Sequence, residues 1–131
     1  MREDKLRAYL DGWSRICSST PESVAAMVGN ADPAIRFADV NSSNVHQGHD
    51  GIRHICGLAT QIYLGTTISY RALLCDGQQW SARWIMSGPR TDGSTFTCRG
   101  ASAGILADDG RVLEHTDYWN RGELHLDALP A

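Results

Sequence analysis

At 131 residues, with 42% apolar side chains and a formal charge of −3, the chain can bury one hydrophobic core but not two. Mild acidity without a Lys/Arg cluster excludes a nucleic-acid-binding surface, and no stretch approaches the roughly 20 continuous apolar residues of a membrane span. The four cysteines, Cys17, Cys56, Cys75 and Cys98, are dispersed without a C-x-x-C pair, as expected of reduced thiols rather than a disulfide framework or zinc site.

Met1 to Lys5 lead into an amphipathic segment and not a secretory apolar run, so a cytoplasmic location is expected. From Arg2 to Cys17 the apolar positions Leu6, Tyr9, Leu10, Trp13, Ile16 and Cys17 recur in three- and four-residue steps, which predicts a helix with one bulky face. Thr20-Pro21-Glu22 supplies an N-cap and a first-turn proline for a short second helix through Val24, Met27 and Val28, stopped by Gly29-Asn30. Ile35 to Asp39 reads as a short strand and Asn41 to Gly48 as a polar loop. Asp50 to Leu64 then reads as a third helix, capped by Asp50, with Ile52, Ile55, Cys56, Ala59 and Ile62 facing inward.

The second half is punctuated by Asp76-Gly77, Asp92-Gly93 and Asp109-Gly110. Asp-Gly marks tight hairpins because Gly adopts the positive φ that such turns demand. Strands are therefore predicted over Thr67 to Cys75, Gln78 to Ser87, Ser94 to Leu106 and Arg111 to Asn120. The fold class is α+β, a single domain over residues 1–131 in which three helices pack on a highly curved antiparallel sheet and enclose a pocket. The small run Gly100-Ala101-Ser102-Ala103-Gly104 marks either a close approach to a ligand or tight packing of a helix.

This order of elements resembles the cone-shaped nuclear-transport-factor-2-like fold over nearly the whole chain. The resemblance rests on Gly48-His49-Asp50-Gly51-Ile52 opening a helix and on the ending Asp109-Gly110-Arg111-Val112 with Thr116-Asp117-Tyr118-Trp119. Within that superfamily the ending is similar to the SnoaL-like polyketide cyclases and the ketosteroid isomerases. The resemblance implies roles residue by residue. Asp39 falls where the isomerases place their general base, Ser102 where they place a protonated Asp of the oxyanion hole, and Trp13 near their hydrogen-bonding Tyr. Against the limonene epoxide hydrolases, Arg83 and Asp117 match the Arg and the second Asp, while Ile85 stands in place of the first Asp. The SnoaL-like cyclases match best, through a single acid/base Asp on the last strand at Asp117.

The residues themselves single out the same carboxylate. On the last strand Leu113, His115, Asp117 and Trp119 share one face, so Asp117 lies among apolar neighbours, where a carboxylate can take and return a proton on a carbon acid. Arg83, expected on the same side as Ser81, Ile85 and Ser87, is its electrostatic partner, either for catalysis or as an ion pair that only closes the cone. Asp39 is a second base or the cap of a turn. His115 is a proton relay or a half-exposed hydrogen-bonded residue. The spacing of His46, His49 and His54 fits no zinc signature, and neither metal nor cofactor is expected. Tyr9, Trp13, Phe37, Ser102 and Trp119 are the candidate substrate-binding residues.

The expected activity is cofactor-independent acid/base chemistry, isomerisation, aldol cyclisation or dehydration, on a hydrophobic or polycyclic carbonyl compound. The alternative is a noncatalytic ligand-binding or assembly domain of the same shape, with epoxide hydrolysis a lesser option. A homodimer is expected, formed through an outward apolar face of Trp80, Ala82, Trp84 and Met86.

Overall fold

The structure, a computed structural model, describes residues 2–63 and 65–124. The first helix, α1 (Arg2–Ser14), is shorter than expected and passes into a 3-10 turn over Ile16–Ser18. Glu3 and Asp4 in its first turn oppose the helix dipole, and Leu6, Tyr9, Leu10 and Trp13 form the buried stripe. Helix α2 (Pro21–Gly29) begins as its sequence dictates, with Thr20 and Ser23 closing a reciprocal capping box. The two helices touch at Gly12, where a Cβ would lie 2.6 Å from that of Met27, so no larger residue fits between them.

Strand β1 (Ala31–Asp39) begins four positions before Ile35, and the loop after it contains a short strand, β2 (Val45–Gln47), that pairs with it. Helix α3 (Gly48–Ile62) follows, and Leu64, where the sequence reading ended this helix, lies outside the described residues. The meander is β3 (Thr67–Asp76), β4 (Gln79–Pro89), β5 (Thr95–Leu106) and β6 (Val112–Trp119). Its three turns place Gly77, Gly93 and Gly110 at φ 60°, 87° and 89°, the conformation that Asp-Gly was expected to supply.

The six strands form one curled sheet in the order β2-β1-β6-β5-β4-β3. It is mixed rather than wholly antiparallel, because β1 runs parallel to β6. The pairing sets Asp39 opposite Asp117, and β5 sets Ser102 opposite Asp117 in turn. Between Leu106 and Ile105 the register of β5 on β6 slips, so Leu113 is the extra residue and Val112, not Leu113, is fully buried on the inner side.

The apolar interior has two parts. The larger joins α1, α2, α3 and β1 through residues such as Tyr9, Met27, Ile35 and Ile52, and the smaller comprises Trp84, Met86, Phe96 and Cys98 on β4 and β5. Tyr63, Ile68 and Tyr70 pack against both. The small run on β5 accommodates neither a helix nor a ligand. A Cβ at Gly100 would lie 2.2 Å from the Trp84 ring, and one at Gly104 would lie 2.9 Å from Trp80 Nε1, so two indoles from the adjacent strand lie over it.

This packing reverses the expected faces of β4. Trp80, Ala82, Trp84 and Met86 are buried, because of the two alternating sets on the strand they remove by far the larger apolar area from water. Arg83 is consequently exposed on the outer side, opposite Ala101. The outer face carries Leu74, Ile105 and Tyr118 as its exposed large apolar side chains. Among the described residues no helix is long and apolar enough to cross a membrane, and no disulfide joins two cysteines.

Candidate active site

Where the two parts of the interior meet, a cavity of about 140 Å³ opens, lined by residues of α1, β1, α3, β3, β4 and β6. Two rows of the sheet run beneath it. One runs Tyr70, Trp84, Gly100, Trp119 and the other Ala82, Ser102, Asp117, Asp39. Helices α1 and α3 contribute Trp13, Ile55 and Ala59, and Ile16 and Cys17 follow α1.

Asp117 lines this cavity with its side chain 16% exposed. Ser102 Oγ donates to its Oδ1 at 2.5 Å, and His115 Nε2 meets the same oxygen at 2.6 Å. Among the described residues Oδ2 receives no hydrogen bond. Behind it, His115 is fully buried and its Nδ1 lies 2.7 Å from the Tyr9 hydroxyl. Burial holds the Tyr9 hydroxyl well above its ordinary value of 10.0, helped by the negative charge of Asp117, so Tyr9 remains a donor. Both ring nitrogens are satisfied when Tyr9 O–H donates to Nδ1 and Nε2–H donates to Asp117 Oδ1. Ser102 Oγ in turn accepts from Trp84 Nε1 at 3.0 Å.

Asp39, across the strand pair, is differently held. Its Oδ1 accepts from the backbone N–H of Asn41 at 2.8 Å, the turn-capping role, and its Oδ2 accepts from Trp119 Nε1 at 2.9 Å. The Asn41 side chain donates to the Trp119 carbonyl at 2.9 Å, which pins the end of β6 to the turn after β1.

Of the sequence-derived candidates, Asp117, Asp39, Trp13, Phe37 and Trp119 line the cavity. Tyr9, Ser102 and His115 are buried behind the wall and act on Asp117, so Tyr9 and Ser102 are not in the substrate-facing positions expected of them, and His115 is not half exposed. Arg83 is not brought to the site. It points to the opposite face of the sheet from Asp117, because residues of odd number on β4 share the outer side.

The sequence reading missed Tyr70 as a lining residue, and Tyr63 and Trp84 line the cavity as well. Counting from the Asp76-Gly77 turn would set Arg71 opposite Trp84; a bulge between Arg71 and Leu74 shifts the register by one and sets Tyr70 there. Burial raises the Tyr70 hydroxyl well above 10.0, with Asp117 adding to the effect, and the hydroxyl lies beside Ser102. Trp13 Nε1 approaches the Tyr9 hydroxyl closely enough to favour its ionised form, yet it is a buried donor without a hydrogen bond of good geometry. Cys17 is pushed up to about 11 by burial, which keeps this lining thiol neutral.

The remaining histidines do other work. His49 Nε2 bonds the Ala31 carbonyl at 2.8 Å. His46 and His54 stand with ring centroids 5.8 Å apart, and burial followed by the charge of His54 lowers His46 from 6.5. Among the described residues no three His, Cys, Asp or Glu side chains are grouped to hold a metal ion.

No protein-family model matches the sequence, and no curated protein is similar to it in sequence. Solved structures are similar in fold. The structure of TerC co-crystallised with polyporic acid superposes with a TM-score of 0.77 at 13% identity, over 95% of each chain. A protein of ketosteroid isomerase-like fold from Catenulispora acidiphila, in complex with trimethylamine, gives 0.74 at 12% identity, over 93% of this chain and 97% of that one. A SnoaL-like polyketide cyclase structure from Jannaschia sp. CCS1 gives 0.71 at 14% identity, over 98% and 93%. The chain therefore has the nuclear-transport-factor-2-like fold, and its structural neighbours include SnoaL-like and ketosteroid isomerase-like proteins.

Proposed function

We propose that the cavity carries out cofactor-independent acid/base chemistry on a small hydrophobic carbonyl compound, with Asp117 as the catalytic base. The observation that carries this reading is the asymmetry of its carboxylate. Oδ1 is held by Ser102 and His115, while Oδ2 takes no hydrogen bond from the described residues on a group that lines an apolar cavity. In the reaction a C–H bond next to the carbonyl breaks, its proton passes to Asp117 Oδ2 and its electron pair moves to the carbonyl oxygen as an enolate. The Tyr70 hydroxyl, kept protonated by burial, donates to that oxygen. The proton then returns to a different carbon, or the enolate carbon attacks an internal carbonyl, or a β-hydroxyl leaves as water; these are isomerisation, cyclisation and dehydration.

The cavity narrows the substrate. At about 140 Å³ it matches an engineered cavity of roughly 150 Å³ that holds a benzene ring, so a single ring fits within it. Fold neighbours hold ligands as different as polyporic acid and trimethylamine, which supports reading ligand size from this chain's own lining. Epoxide opening is disfavoured because Arg83 and Ile85 lie on the outer side of β4. Homodimerisation now rests on the exposed Leu74, Ile105 and Tyr118, and a cytosolic setting fits four cysteines on separate elements.

The test is exchange of α-protons of small cyclic ketones into deuterated water, followed by proton NMR. The folded protein should accelerate exchange, and Asp117→Asn should reduce kcat by at least about a hundredfold, the usual weight of a general base. Equal exchange by both proteins removes Asp117 from the reaction.

A further inference from the structure

Among the described residues the cavity wall combines many rings with two carboxylates and no lining cation. Six aromatic side chains among the described residues line it, Trp13, Phe37, Tyr63, Tyr70, Trp84 and Trp119. Trp13 and Phe37 are stacked at 5.0 Å with planes 16° apart, whereas Trp84 and Trp119 meet at 59° with centroids 6.4 Å apart, so the rings form walls in more than one orientation. Asp39 and Asp117 are the charged residues of the lining, set opposite each other on β1 and β6. Each accepts only N–H or O–H donors: Asn41 and Trp119 for Asp39, Ser102 and His115 for Asp117. In all of these contacts the carboxylate accepts. No Lys, Arg or His is among the described lining residues. Arg121, beyond the end of β6, is a cation whose charge reaches the lining at Tyr63, and it is not itself part of the wall.

A neutral ketone would leave these charges unanswered. An anionic ligand would be repelled by them. A metal ion would need carboxylate oxygens, and three of the four already serve N–H or O–H donors. From this we infer that the cavity binds a small organic cation, a tertiary or quaternary ammonium group with compact alkyl substituents, against ring faces and between Asp39 and Asp117. The charge of such a group is spread over its carbon substituents, so it loses little on leaving water, and aromatic faces attract it. The carboxylates add attraction in a site partly shielded from solvent. The volume admits a group of tetramethylammonium to choline size. The inference shares its cavity with the proposed reaction and rests on that cavity being the ligand site. It makes the substrate class a small carbonyl compound that carries an ammonium group.

The test is a comparison of isosteres on the full chain at neutral pH. Choline and 3,3-dimethylbutan-1-ol have nearly the same shape and differ in the charge of the central atom. Isothermal titration or tryptophan fluorescence should give choline at least about tenfold tighter binding than the alcohol. Asp39→Asn should weaken choline severalfold and leave the alcohol unchanged, with circular dichroism showing that the variant is folded. Equal affinities, preference for the alcohol, or no binding of either would overturn the inference on the unmodified protein alone. Binding is read without turnover, so the two readings fail separately. A protein that prefers choline yet exchanges no α-proton retains the cation site and loses the reaction. One that exchanges neutral ketones and ignores choline does the reverse.

Discussion

Asp39 and Asp117 face one cavity from neighbouring strands in matched register, yet the fold uses them in opposite ways. Asp39 gives one oxygen to the turn that follows β1 and the other to the Trp119 indole. Both of its oxygens are occupied in holding chain segments together. Asp117 concentrates its partners on Oδ1, and those partners come from side chains fixed by deeper layers: Ser102 beneath Trp84, and His115 anchored by Tyr9. The chemical reach of a carboxylate thus depends less on its position than on how many lone pairs its surroundings leave open.

The contrast is broken most sharply by a pair of matched substitutions. Asp117→Asn should lower α-proton exchange at least about a hundredfold with little change in melting temperature, because the amide fills the same space but cannot take a proton. Asp39→Asn should do the opposite. Loss of a charged acceptor on a turn and an indole costs about 1–3 kcal/mol, visible as a melting temperature lower by several degrees, with kcat reduced less than tenfold. If the two outcomes are exchanged, the roles are exchanged.

Removing a single donor comes next in size. Tyr70→Phe should lower kcat about tenfold to a hundredfold with KM little altered, since a donor aimed at a developing oxyanion acts mainly in the transition state. Tyr9→Phe probes the anchoring layer. It strands His115 Nδ1 in a buried site, so stability should fall by about 1–3 kcal/mol in denaturant unfolding, with a smaller effect on turnover. Trp13→Phe is distinctive in sign. Deleting a buried donor that has no partner should leave the empty protein as stable or about 1 kcal/mol more stable, while substrate binding weakens severalfold.

The smallest effect is a pH dependence. Burial raises Cys17 and Cys56 from 9.0 to about 11 and holds Tyr9 and Tyr70 well above 10.0. Raised values mean that the folded state holds these protons more tightly. Their contribution to stability is therefore complete below about pH 9, and it declines from there as the unfolded chain begins to ionise. Melting temperatures measured from pH 8 to 11 should show a decline beginning near pH 9, shallower in a Cys17→Ala variant at a lower starting stability.

Local chemistry explains what could be read before the structure. The three Asp-Gly turns, the Thr20 cap and the stripe of α1 each depend on a few adjacent residues, and each appears where the sequence puts it. Asp117 was legible as a carboxylate on an apolar face. Arg83 was misplaced because alternation on β4 gives two faces without saying which is inner. The volumes of Trp80, Trp84 and Met86 decide that question, and they exclude Arg83 from the interior. Strand β2, only three residues long, has no pattern to detect. The parallel pairing of β1 with β6, and with it the meeting of Asp39 and Asp117, depends on residues too distant in sequence for any local rule. The bond from Tyr9 to His115 is equally remote. A buried His satisfied at both nitrogens by an aromatic hydroxyl and a carboxylate is a property of the assembled interior.

That remoteness bears on how the molecule reaches its native state. The meander from β3 to β6 joins neighbours through tight turns and can zip up strand by strand, whereas the Tyr9 to His115 contact spans 106 positions and the Asn41 to Trp119 contact spans 78. Closing such loops is entropically costly and slow relative to hairpin formation. During synthesis α1 emerges before the strands and can pack on α2 through Gly12 and Met27, but the hydrogen bond from Tyr9 to His115 must wait until β6 has left the ribosome. The same strand brings Asp117 into place. The placing of Asp117 and the closing of the Tyr9 to His115 bond therefore occur together, and a chain interrupted before β6 would have neither.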